Sequence, residues 1–140
     1  MPPSQRRAYA KIERSLHEEV AWRLAALKPR CIWLSPPNGF WAIARSEEEK
    51  TLAARIVSQM KKSGMLQPGV PDWIFLWSDG SGAIELKRPA EKTLLWKTPA
   101  GRLSPAQKSF REQCEAAGVP YRVCSYWSEV ETALREWGRI

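Results

Sequence analysis

Gly69-Val-Pro-Asp-Trp-Ile-Phe-Leu-Trp-Ser-Asp-Gly-Ser-Gly-Ala-Ile-Glu-Leu-Lys87 is the stretch that decides how this chain folds. Trp73 to Trp77 is a short, wholly apolar run that reads as a buried strand, and Ser78 to Gly82 carries turn chemistry. Ala83-Ile-Glu-Leu-Lys87 reads as the returning strand. Residues two apart on a strand share a face, so Glu85 and Lys87 point one way while Ile84 and Leu86 enter an apolar layer. A charged pair on a core strand is costly unless it is paired or metal-bound. If Asp72, which opens the first strand, reaches the same spot, two carboxylates can hold a divalent ion beside an ammonium. A metal-dependent site that cuts phosphodiesters needs that arrangement. An ion pair on an edge strand would give the same string.

The Glu-x-Lys string is weak by itself, because Glu48-Glu49-Lys50 also fits it. That copy lies in a stretch that reads as the start of a helix, where residues two apart differ by about 200° of rotation. Glu48 and Lys50 then point apart, and a solvated first turn with acids near the positive helix end explains them.

With 140 residues the chain is expected to form a single domain, 1–140, with room for a real core. Its 44% hydrophobic content and eight Trp belong to a globular protein. No apolar run approaches the ~20 residues of a membrane span, and the N-terminus lacks the apolar core of a secretory signal. Cys31, Cys114 and Cys124 are odd in number and widely spaced, which argues against disulfides and zinc and for a reducing cytoplasm. The formal charge of +7 and a pI near 9.6 favour a polyanionic partner, nucleic acid above all.

Elsewhere the chain alternates helices and strands. A first helix is expected from Gln5 to Leu27, closed by Pro29, with Leu16, Val20, Leu24 and Leu27 as its apolar stripe. Glu13 and His17 continue that stripe, whereas Glu18 and Glu19 fall off it. Glu13 is thus the one acid of the helix aimed inward, unless the stripe has simply ended there. His17, the only histidine, reads as a packed, hydrogen-bonded side chain rather than a ligand. Cys31 to Ser35 reads as a strand followed by a Pro-Pro-Asn-Gly turn, and Ser46 with Glu49 as a capping box for a helix ending near Gly64.

Arg88 to Leu103 is a long basic connection with Lys92, Trp96, Lys97 and Arg102, of the kind that tracks a DNA backbone. Trp96 fits a DNA contact or a subunit contact equally well. Ser104-Pro-Ala-Gln107 starts another helix, with Gln107 able to reach back to the cap amide. Tyr121 to Cys124 reads as a fourth strand, and Ser128 with Glu131 caps a last helix that turns Val130, Leu134 and Trp137 inward. Helices and strands in this order make an α/β sandwich on a small mixed sheet.

Gly69-Val-Pro-Asp-Trp73, Glu85-Leu-Lys87, Leu103-Ser-Pro-Ala-Gln107 and Gly118-Val-Pro, in this order and spacing, resemble the VRR-NUC family of the PD-(D/E)xK, restriction-endonuclease-like nuclease superfamily. Glu13-x-x-Leu-His17-x-x-Val20 resembles the family's first-helix acid and the residues after it, and Pro37-Asn-Gly39 its Asn-Gly turn. The likeness covers roughly residues 10 to 136. It departs from the family at Phe40, where a second Gly is common, and matches poorly from there to Gln67.

The resemblance implies a restriction-endonuclease-like core and site roles for particular residues. Asp72 and Glu85 would be metal ligands together with the Leu86 backbone carbonyl, and Glu13 an acid acting directly or through water. Lys87 would be the catalytic lysine and Gln107 the active-site glutamine; the nucleic-acid contacts of Lys92, Lys97 and Arg102 are expected from the basic connection itself. The implied cofactor is Mg²⁺, with Mn²⁺ able to substitute. The implied reaction is endonucleolytic cleavage of branched DNA such as Holliday junctions by a homodimer. Small stand-alone nucleases of this kind are often carried by phages or mobile elements. A flap or nicking nuclease is the near alternative. A non-catalytic DNA-binding module on the same fold, or a protein–protein adaptor, belongs to a different class.

Overall fold

The computed structural model of the chain describes residues 3–37, 44–92, 94, 95 and 97–140. The expectations placed on Asn38, Gly39, Phe40 and Trp96 fall outside them. The described elements are α1 (Pro3–Leu27), β1 (Ile32–Leu34), α2 (Glu47–Lys62), β2 (Trp73–Trp77), β3 (Gly80–Leu86), β4 (Glu91–Lys92), β5 (Lys97–Thr98), α3 (Pro105–Ala116), β6 (Tyr121–Cys124) and α4 (Trp127–Glu136).

The main sheet has the order β1-β2-β3-β6. β1, β2 and β3 run antiparallel in sequence, and β6 lies parallel to β3 after the α3 crossover. Alternation along β3 sorts its side chains between two layers. Ile84 and Leu86 join Phe75 and Trp73 against Leu16, Val20 and Leu24 of α1 and Val130, Ala133 and Leu134 of α4. Ala83 faces the other way, against Cys114 of α3 and Tyr121. A mixed sheet flanked by helices is thus present, as the alternation of elements predicts.

Several local expectations need correction. The β2–β3 turn is tighter than Ser78–Gly82, since Trp77 already pairs with Gly80 across Ser78-Asp79. Gly80 and Gly82, read as turn residues, are strand residues. Gly82 lacks a Cβ where the Trp137 ring packs, since an added one would lie 2.5 Å from it. Leu27 is exposed, so the α1 stripe closes at Leu24. The N-cap of α4 is Tyr126, with no side-chain bond, not Ser128. Ser46 does accept from the Glu49 amide, but the Glu49 carboxylate accepts from the Arg45 amide, one residue before the cap. The basic connection is not plain loop: β4 and β5 form a separate two-stranded ribbon within it.

Gly69 joins fold to site. Its φ of +76° is one that side chains resist, and an added Cβ would lie 2.2 Å from the Ala106 carbonyl oxygen and 2.6 Å from the Gln107 nitrogen. The segment leading to Asp72 therefore lies directly on the first turn of α3, and fully buried Pro71 fixes it there. Gly69→Ala should lower stability by about 2 kcal/mol or more in urea unfolding, because rigid backbone rather than a movable side chain meets the new methyl.

Candidate active site

At the end of β3 that points away from the turn, the carboxylates of Asp72 and Glu85 lie close enough for the Asp72 charge to raise the Glu85 pKa. They are 8% and 2% exposed, in a protein where such groups ordinarily face water. β2 begins one residue after Asp72, so the Asp72 carboxylate can turn toward β3, where Oδ2 accepts from the Leu86 amide at 2.7 Å. On a strand a residue's amide and carbonyl face the same side, so the Leu86 carbonyl opens onto the same space. The other oxygen, Asp72 Oδ1, lies 3.1 Å from Nε2 of His17 on α1. His17 is buried, with its ring 6.3 Å from that of Trp73. The sequence suggests a packed, hydrogen-bonded histidine; the ring is packed, and its Nε2 makes a close approach to Asp72.

Glu85 Oε1 accepts from Gln107 Nε2 at 2.6 Å and lies 3.0 Å from Lys87 Nζ. The Gln107 side chain has a second role. Its Oε1 accepts from the Ser104 amide at 2.8 Å, and its own amide donates to Ser104 Oγ, closing the predicted capping box. Lys87 lies just past the end of β3 and keeps the sheet's pattern through its amide, which donates to the Cys124 carbonyl. Gly101 sits against the Lys87 side chain, where an added Cβ would be 3.3 Å from Lys87 Cβ and Cδ.

Glu13, on α1, is half-buried. Burial raises its carboxyl pKa, Lys87 opposes that rise and Asp72 adds to it, with smaller opposing effects from Arg88 and His17. The acid predicted to face inward thus belongs to the electrostatic surroundings of the other three. Lys92, Lys97 and Arg102 are all exposed. Arg102 lines a surface groove of about 490 Å³ with Lys108 and Arg111. The decoy Glu48-Glu49-Lys50 is solvent-exposed on the first turn of α2.

Two neighbours of the site went unnoticed in the sequence. Tyr121 opens β6 with its hydroxyl buried and unpartnered among the described residues. Its pKa is raised by burial, then by the Glu85 and Asp72 carboxylates. Arg88 follows Lys87 and acts on Glu13. Neither has a sequence signal beyond its position beside a strand end.

Glu85 is pushed up to about 8, first by burial, then by the Asp72 charge, with Lys87 opposing. Its Oε2 is buried and receives no hydrogen bond among the described residues. Two neighbouring carboxylates, one with an unused buried oxygen, and a backbone carbonyl on the same side of the strand make an all-oxygen donor set of the kind that suits a hard divalent cation. Among the described residues no three His, Cys, Asp or Glu side chains form a complete cage. Mg²⁺, which keeps several of its own waters, does not need one.

A prediction about metal-free protein follows from the Glu85 shift. Because the folded state holds the Glu85 proton up to about pH 8 and the unfolded chain releases it near the ordinary carboxylate value, stability falls as pH rises through that window. In Glu85→Gln the Gln107 and Lys87 donors can still meet an oxygen, and the new amide can donate toward Asp72. Melting in EDTA should show the variant more stable than wild type at pH 8 by on the order of 1–3 kcal/mol. At pH 4 the gap should shrink toward zero. A gap that stayed constant would show that repulsion between the acids is not what costs stability.

A family model described as the VRR-NUC domain matches residues 7–126, from within α1 to just before α4. No curated protein and no solved structure matches the chain.

Proposed function

Because the chain belongs to the VRR-NUC domain family, nuclease-type domains of restriction-endonuclease-like fold, we propose that it is a Mg²⁺-dependent endonuclease that hydrolyses phosphodiesters in branched DNA. The observation that carries this reading is the buried meeting of Asp72 and Glu85 with Lys87 3.0 Å from the latter. A protein that only bound DNA would gain nothing from carboxylates turned toward phosphate.

Asp72, Glu85 and the Leu86 carbonyl are the proposed ligands, with Glu13 reaching the ion directly or through water. Mg²⁺, or Mn²⁺ in its place, supplies a lowered pKa for bound water and neutralises charge on the phosphate when bound. Lys87 orients the attacking water and stabilises the anion that develops on the phosphate. Its ammonium is held by Glu85 Oε1, so it is aimed before substrate arrives. Gln107 acts on Glu85, holding the carboxylate through Oε1, so that Oε2 would be the oxygen left to meet an ion. His17 holds the Asp72 oxygen that does not meet the Leu86 amide. Lys92, Lys97 and Arg102 carry the DNA flanking the cut, where each phosphate contact adds salt-sensitive affinity.

The proposed working form is a homodimer. α2 buries only Ala53 among its residues, while Leu52 and Ile56, four apart and so on one side of the helix, are exposed together with Met65 beyond its end. Covering that stripe with a second copy would relate two sites by a two-fold axis, which suits a four-way junction.

Asp72→Ala, Glu85→Ala and Lys87→Ala should each lower cleavage of a labelled four-way junction by about 10²-fold or more with DNA affinity largely retained. EDTA should abolish cleavage by wild type and added Mg²⁺ restore it. An active Lys87→Ala enzyme would refute the role given to that lysine. A flap or nicked duplex cut faster than the junction would move the substrate assignment, and DNA binding without cleavage in Mg²⁺ would leave only the binding-module reading.

A further inference from the structure

Two buried polar atoms on one face of the main sheet receive no hydrogen bond among the described residues: Glu85 Oε2 and the Tyr121 hydroxyl. The first is the oxygen left for an ion. The second has no reason in packing. Tyr121 is 9% exposed and belongs to a buried cluster with Ala83 and Cys114, against which Phe110 of α3 packs. The Arg111 guanidinium lies 5.9 Å from the centre of its ring. A buried hydroxyl without a partner costs stability, and a phenylalanine would fill the same space without that cost.

Strand register brings the two atoms together. β6 runs parallel to β3 with Tyr121 opposite Ala83 and Val123 opposite Glu85. Ala83 and Glu85, two apart on β3, share a face, and Tyr121 shares it too because it packs with Ala83. Tyr121 therefore stands one strand over and two residues before Glu85. Their backbones are about 8 Å apart on that diagonal, a span that an aromatic side chain covers. Burial raises the pKa of the phenol, and Glu85 and then Asp72 add to the rise, so both acids act on it. The hydroxyl is enclosed, and DNA does not reach it.

Glu85 Oε1 already meets Gln107 and Lys87. The spare capacity of the carboxylate lies on Oε2, whose two lone pairs can serve an ion and one donor. We propose that Tyr121 is a positioning residue of the metal site: its hydroxyl donates to Glu85 Oε2, directly or across one buried water, and holds that oxygen in place for the ion. Gln107 from α3 and Tyr121 from β6 then fix the two oxygens of one carboxylate. Hydrogen-bonded partners of metal ligands raise affinity for the ion in this way. The inference rests on the reading of Asp72 and Glu85 as ligands of a divalent cation and adds a residue to it.

The test titrates the full chain with Mn²⁺ in the absence of DNA, following the EPR signal of the free ion, beside melting in EDTA. Tyr121→Phe removes only the hydroxyl. It should weaken Mn²⁺ binding about tenfold and melt at or above the wild-type temperature. Phe110→Leu disturbs the same cluster without touching a polar atom. It should melt below wild type and keep its Mn²⁺ affinity within about twofold. On a labelled junction, Tyr121→Phe should need about tenfold more metal for half-maximal cleavage and approach the wild-type rate when metal saturates.

Tyr121→Phe with wild-type Mn²⁺ affinity would overturn the proposal and leave the nuclease standing. An equal loss of affinity in Phe110→Leu would do the same. Weakened Mn²⁺ binding by Tyr121→Phe, in a protein whose wild type cuts no DNA, would uphold the tyrosine's role and strike the nuclease reading instead. A wild type that binds no Mn²⁺ would overturn both.

Discussion

Two carboxylates buried side by side set the terms for the rest of this molecule. Asp72 and Glu85 cannot both be charged in such a place without compensation. The surroundings supply it in named contacts: the Leu86 amide bond and the close approach of His17 on Asp72, the Gln107 bond and the Lys87 ammonium on Glu85. The donors come from α1, β3, the residue after β3, and α3, so both layers of the sandwich contribute to one small volume. What those donors leave over is a repulsion and a bare Glu85 oxygen. A dication would remove both. A folded domain gains no stability from keeping this defect, which is the physical reason to look for function here rather than at the surface ion pairs, most of them ordinary helix pairs such as Arg14–Glu18 and Arg23–Glu19.

Much of the architecture could be read directly from the chain. The apolar run of β2, the alternation of β3 and the spacing of Leu16, Val20 and Leu24 on α1 each reflect a face that must be buried, and burial leaves a period in the sequence. The helix starts at Ser46 and Ser104 were legible because their side chains satisfy amides that the helix itself cannot. What was not legible lacks such a period. Two-residue strands such as β4 and β5 are too short to show one, and Tyr126 caps α4 without any side-chain bond to advertise it. The tight β2–β3 turn was misplaced because glycines read as turn residues, whereas Gly82 is needed for the ring of Trp137.

The site was legible in its parts more than in its assembly. Glu85 and Lys87 could be paired from strand geometry alone, and Glu13 could be singled out because it continues an inward stripe. Nothing local distinguishes Asp72 from any other acid ahead of a strand; its contact with the Leu86 amide depends on the β2–β3 register, which is a tertiary fact. Tyr121 and Arg88 escaped for the same reason. Their nearness to the acids follows from the parallel pairing of β6 with β3 and from the path of the chain after Lys87.

The Gln107 amide group ends one thread and begins another. Its oxygen is committed to the Ser104 amide and its nitrogen to Glu85, so turning the group over would set oxygen against oxygen and nitrogen against nitrogen. The two ends of the side chain thus lock each other's orientation. Winding the first turn of α3 and aiming the glutamate become one event, completed by the polypeptide before any ion or nucleotide is present. Drift at this position is correspondingly narrow: aspartate or serine could still cap the helix but falls short of the acid, and glutamate would cap it while adding a third negative charge.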